Sequence, residues 1–305
     1  MMLISAAAVF GLWRAKRRFI LPSGEALNRM AWEASFEERG LPVPAGGPRD
    51  GYWGARMPGQ VKVADIGWQE AEAHLPGLVE EDAQGVQRFG PAGAPHHILI
   101  LGGSVAWGAY ASAIETTYFA RLAHALAAGG QPVQITVLAA GAWTSEHELK
   151  ALQARGLAFG ADVVMFLDGL NDLTLGKGSA DELAASYLQR MREARDLARV
   201  RGARIVFVLQ PWLLDKSRSR IEERVLKLSL DDGGQARVRD GYARMRTGLR
   251  ELGPGGGATF IDCSNVFARE RATTFTDLWH FADPGHALLA DRLAAAMIAV
   301  LRGPP

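Results

Sequence analysis

In His97-Ile98-Leu99-Ile100-Leu101-Gly102-Gly103-Ser104 a short apolar run, Ile98–Leu101, is followed by two glycines and a serine. The run has no polar face, so it reads as a strand covered on both sides. Four more such runs follow, at Val133–Leu138, Val163–Leu167, Ile205–Leu209 and Thr259–Ile261. Helical spacing fills the gaps, over Thr117–Ala128, Ser179–Val200 and Ala236–Leu252, and again from Pro284 to Leu301. Strands alternating with amphipathic helices predict an α/β fold. The expected architecture is a three-layer α/β/α sandwich on a central, mostly parallel five-stranded sheet. In such sheets the chemistry gathers at the carboxyl ends of the strands.

Four loops at those ends carry reactive residue types. Gly102-Gly103-Ser104 brings a hydroxyl to the start of a helix, where backbone N–H groups favour developing negative charge. By itself it is also an ordinary turn or a phosphate cradle. It is neither a nucleotide P-loop nor a Gly-x-Ser-x-Gly elbow. Ala139-Ala140-Gly141-Ala142-Trp143 follows the second strand, and its small residues permit close approach of a ligand to the main chain. Gly169-Leu170-Asn171-Asp172 follows the third strand; Asn171 there either caps a helix or donates to an oxyanion. Asp277-Leu278-Trp279-His280 lets a carboxylate orient an imidazole within one tight loop.

Composition narrows the class. Of 305 residues, 48% are hydrophobic and 22% charged, with a net charge of +1, which excludes a disordered chain and a polybasic nucleic-acid arm. The single cysteine, Cys263, forms no internal disulfide and no multi-cysteine zinc site. Nothing requires an oxidising compartment, and the cytoplasm is the expected location. Residues 1–95 read as an N-terminal extension laid over a domain at 96–305. The apolar stretch Met1–Trp13 precedes Arg14, Lys16, Arg17 and Arg18. It is shorter than the ~20 apolar residues that a spanning helix needs. It predicts a helix packed on its own domain or lying at a membrane surface, giving residues 1–18 as a peripheral contact.

The order of the four blocks, Ser, Gly, Gly-x-Asn-Asp and Asp-x-x-His, resembles the SGNH, or GDSL-like, hydrolase family over about residues 96–302. Gly-Gly-Ser stands where the family name has Gly-Asp-Ser. The resemblance implies a flavodoxin-like sandwich and a serine ester hydrolase that forms an acyl-enzyme on Ser104. His280 would be the general base and Asp277 its orienting carboxylate. Ser104, Gly141 and Asn171 would supply the oxyanion hole. No metal or organic cofactor is implied. The alternatives are an acyltransferase using the same residues, or a non-catalytic binding module on the same fold.

Other polar residues read as structural. His286 opens the last helix, His96 and His97 sit at the far end of the first strand, Asp168 and Asp172 anchor loops, and Cys263 packs as a small hydrophobe. The charged segment Asp215–Arg224 reads as a solvated helix face or a lid. Trp107, Trp143, Trp212 and Trp279 stand beside the site motifs and suggest an aromatic platform for a sugar ring. The expected substrate is therefore a short acyl ester, acetyl above all, of a carbohydrate or another small polar carrier.

Overall fold

Val163–Asp168 is buried at all six positions, as a strand flanked on both edges and covered on both faces must be. In the computed structural model, which describes residues 24–47, 60–63, 67–70, 80–81, 86–253 and 257–303, this strand lies within the main sheet. In chain order the strands are β1 (Gln60–Val63), β2 (Gly67–Glu70), β3 (Glu80–Glu81), β4 (Gln87–Phe89) and β5 (His96–Gly102), then β6 (Val133–Ala139), β7 (Val163–Asp168), β8 (Arg204–Leu209) and β9 (Ala258–Asp262). The main sheet has the order β3-β4-β6-β5-β7-β8-β9. Its five parallel members are the five runs anticipated from the sequence, each extended by one to three residues. The sheet is wider than the expected five strands: β4 pairs antiparallel with β6, and β3 pairs antiparallel with β4. β1 and β2 form a separate antiparallel pair. The apolar run within residues 1–18 lies outside the described residues.

Strand order decides where the site falls. From β5 the chain steps to β6 on one side, then returns past β5 to β7, β8 and β9 on the other. Right-handed crossovers in opposite directions send their helices to opposite faces. Accordingly Tyr118–Ala128 packs with the last helix, Asp283–Arg302, while Ser145–Ala154, Ala180–Val200 and Asp232–Leu252 pack together. The direction reverses between β5 and β7, and a crevice opens there beyond the carboxyl ends. Gly102 is in register with Ala139 on one side and Leu167 on the other, so three βα loops start at one level.

The helix Gly24–Glu37 precedes this core and packs onto it. Leu27 and Ala31 join the main hydrophobic cluster, whereas Trp32 and Phe36 form a small one with Ala282.

Candidate active site

Gly102 ends β5 because nothing larger fits: a Cβ there would run into the Leu167 carbonyl oxygen and the Ala106 methyl. Gly103 then caps the short helix Ser104–Trp107. Its N-terminal N–H groups have no partner within the helix. Ser104 is 9% exposed, and its Oγ lies 2.8 Å from His280 Nε2. The other ring nitrogen, Nδ1, lies 2.7 Å from Asp277 Oδ2. Asp277 Oδ1 accepts the backbone N–H groups of Trp279 (2.8 Å) and His280 (2.7 Å). The N–H and the hydroxyl of Thr276 both donate to the His280 carbonyl, closing the loop on itself. Burial alone would lift the Asp277 pKa. The His280 charge and the hydrogen bonds from His280 and Trp279 outweigh it, holding the carboxyl below its ordinary range. An ionised Asp277 keeps the proton on Nδ1, which leaves Nε2 free to accept the Ser104 hydroxyl.

Asn171 comes from the loop after β7. Gly169, at φ 106°, makes the turn into the helix Leu170–Leu175. Asn171 Nδ2 donates to the Trp143 carbonyl at 2.8 Å, so the loops after β6 and β7 are joined through this amide. A Cβ on Gly103 would stand 2.6 Å from that nitrogen and 3.1 Å from the Trp143 oxygen. The amide therefore lies against the backbone that leads into Ser104, and its second N–H is left to serve a ligand. This contact gives a physical reason for glycine at position 103. Gly103→Ala is expected to push the amide away and lower kcat about tenfold with little change in KM, measured by initial rates. Gly141, half-buried, sits in the same turn, followed by Ala142 at φ 62°.

The residues expected to be structural are so. His286 is fully buried, accepts the Tyr118 N–H at Nδ1 (3.3 Å) and meets the Ala109 carbonyl through Nε2 (3.1 Å). Burial lowers its pKa to about 3, so it is neutral and a very weak base. His97 Nε2 lies 2.7 Å from Thr136 Oγ1, and His96 Nε2 lies 3.1 Å from Gln131 Oε1; both are at the opposite end of β5. Cys263 is buried, which raises its pKa to about 12 and leaves the thiol protonated.

Two expectations need correction. Trp107, Trp143 and Trp212 are 0%, 2% and 3% exposed, so they cannot form an open platform. Trp212 lies flat on Tyr242 (4.4 Å between centroids, 7° between planes). Only Trp279 of the four is half-exposed, and its indole N–H donates to Thr174 Oγ1 at 3.2 Å. Nor is Asp215–Arg224 solvated throughout. Lys216 Nζ pairs with Glu222 Oε2 at 2.7 Å, with both side chains fully buried. Glu222 Oε1 accepts the N–H groups of Thr274 (2.9 Å) and Phe275 (3.0 Å), beside the Asp277 loop.

The grouping of Asp168 and Asp172 with Glu148 into one acidic cluster gave no signal in the sequence. Asp172 accepts the Ser145 N–H (3.1 Å) and hydroxyl, and Asp168 accepts the Tyr187 hydroxyl (2.7 Å). Glu148, fully buried, faces Asp168; neither of its oxygens has a partner while both groups are carboxylates. Burial raises Glu148 well above its ordinary 4.5, and burial lifts Asp168 to about 6, so a proton is retained between them. The folded state then holds protons that the unfolded chain releases, and stability falls as pH rises above 4.5. Glu148→Gln, which donates to Asp168 at any pH, should flatten that decline. Thermal melts at pH 5, 6, 7 and 8 measure it; equal slopes for variant and wild type would count against the shared proton.

Comparison with known proteins places the chain in a family. The family model described as GDSL-like Lipase/Acylhydrolase matches residues 100–288. No curated protein matches the chain. Similar solved structures include LAE5, an alpha/beta hydrolase from the metagenome of Lake Arreo (TM-score 0.50, 15% identity, 69% of this chain and 98% of that one). Another is the lipase Lip_vut3 from a goat rumen metagenome (TM-score 0.51, 14% identity, 68% and 100%). A third is Axe2, an acetylxylan esterase from Geobacillus stearothermophilus (TM-score 0.48, 15% identity, 70% and 96%). With more than half of its length matched, the chain belongs to the GDSL-like lipase/acylhydrolase family of carboxylic ester hydrolases.

Proposed function

We propose that the protein hydrolyses carboxylic esters through an acyl-enzyme on Ser104. The observation that carries this reading is the relay from Ser104 Oγ to His280 Nε2 (2.8 Å) and from His280 Nδ1 to Asp277 (2.7 Å). As Oγ attacks the ester carbonyl, its proton passes to Nε2, and Asp277 stabilises the imidazolium. The carbonyl oxygen becomes an oxyanion held by the Ser104 N–H, the Gly141 N–H and the second amide hydrogen of Asn171. His280 then returns the proton to the leaving alcohol. Water, activated by the same imidazole, attacks the ester carbon and frees Ser104. Incubation with a fluorophosphonate and mass mapping of the adduct tests the nucleophile. The expected product is a single adduct on Ser104; an adduct on another serine, or none in folded protein, overturns it.

The acyl group is proposed to be short, acetyl above all, on a small polar carrier. Ser104 is nearly buried, and the rings of the buried Tyr110 and the half-buried Trp279 lie beside its His280 partner, a setting that favours small acyl groups. With three indoles inside the core, a sugar carrier rests on the single ring of Trp279. Rates on acetyl, butyryl, octanoyl and lauroyl esters of one chromogenic alcohol decide the acyl part. They should fall with chain length, and faster turnover of lauroyl ester would reverse the assignment.

A further inference from the structure

Tyr110 and Ala142 are the non-glycine residues at positive φ among the described residues, and Tyr110 (φ 69°) is much the bulkier. A side chain of that size stays in the left-handed region only where its surroundings hold it. The Tyr110 ring lies parallel to the His280 imidazole, with 4.7 Å between centroids and 13° between planes. Its backbone carbonyl accepts the indole N–H of Trp32 at 3.3 Å. Trp32 is buried and packs with Phe36 against Ala282, two residues beyond His280. One indole thus ties the segment carrying the stacking ring to the segment carrying the imidazole. The next residues along grip the same loop from its other end. The Glu38 carboxylate accepts the N–H and hydroxyl of Thr273, and Arg39 donates to the Thr273 carbonyl (2.6 Å) and Thr274 Oγ1 (3.0 Å).

Trp32, Glu38 and Arg39 all precede the family-matched span 100–288. We propose that this N-terminal helix is a positioning element for the acid–base group, with Trp32 holding Tyr110 and Tyr110 holding the plane of the His280 ring. The inference rests on the esterase reading of Ser104 and His280. Asp277 and Ser104 each meet one nitrogen of the imidazole, but hydrogen bonds at the ring edge resist tilting about the line between them only weakly. A parallel aromatic face removes that freedom, and its π-electrons attract the imidazolium formed when Ser104 gives up its proton.

The test compares Tyr110→Phe, Tyr110→Asn and Trp32→Phe in the full-length protein. Phe keeps the stacking ring, Asn tolerates the left-handed backbone without one, and Phe at 32 keeps the burial but loses the N–H. Tyr110→Phe should lose less kcat than Tyr110→Asn. Tyr110→Asn should lose about ten- to a hundredfold in kcat and Trp32→Phe about three- to tenfold, with KM within about twofold. In the NMR spectrum the upfield ring-current shift of the His280 ring protons should persist in Tyr110→Phe, weaken in Trp32→Phe and vanish in Tyr110→Asn. Wild-type kcat and unshifted spectra in both Tyr110→Asn and Trp32→Phe would overturn the positioning role. Failure of wild-type Ser104 to react with the fluorophosphonate would instead overturn the esterase reading, while the ring-current data still report the stack itself.

Discussion

Asp277→Asn is expected to lower kcat about 10⁴-fold without unfolding the protein. The effect is this large because the site leaves asparagine only one orientation. Asp277 Oδ1 accepts two backbone N–H groups, from Trp279 and His280. An asparagine must keep its oxygen at that position, since turning the amide would set donor against donor. Its NH2 group then faces His280 Nδ1 and donates to it, which forces the ring proton onto Nε2. That nitrogen lies 2.8 Å from Ser104 Oγ and would now donate where it has to accept. The base is still in place but holds its proton on the wrong side. Steady-state rates on an acetyl ester, with a thermal melt to verify folding, measure the effect; a variant within tenfold of wild type would refute this tautomer argument.

Asn171→Ala is expected to cost about 10²–10³-fold in kcat with KM nearly unchanged. The substrate carbonyl is a weak acceptor, so the lost donor matters mainly once the oxygen carries charge. The bond to the Trp143 carbonyl makes this amide a prepared donor. Truncation should also release the loop after β6, so a smaller loss from the Gly141 N–H is included in the measured value. Unchanged kcat in a folded variant would return Asn171 to a capping role.

The parallel strands were legible because a strand buried on both faces must be apolar throughout, as Val163–Leu167 is. β4 was not: Gln87-Arg88-Phe89 is short and polar, and its pairing with β6 is a tertiary fact with no periodic trace. Ser104, Asn171, Asp277 and His280 were legible through the order of their loops along the chain, although no one loop was decisive. The tryptophans misled because adjacency to a motif says nothing about direction. Trp107 follows Ser104 by three residues on a one-turn helix and is directed into the core. Lys216 and Glu222 misled for the converse reason, since a charge run reads as solvated until its members are found paired in the interior. Tyr110 and Trp32 carried no signal, because a left-handed tyrosine and a bond spanning 78 positions are fixed only by the folded chain.

β4 also closes an edge. β6 is nearly all buried and rich in Val, Ile and Thr, and β4 covers its outer side over Ile135–Val137. A protein trimmed to residues 96–305 would keep every residue of the proposed relay yet present a row of unpaired N–H and C=O groups along β6. Such a row invites a second chain to dock in register, and self-association would follow.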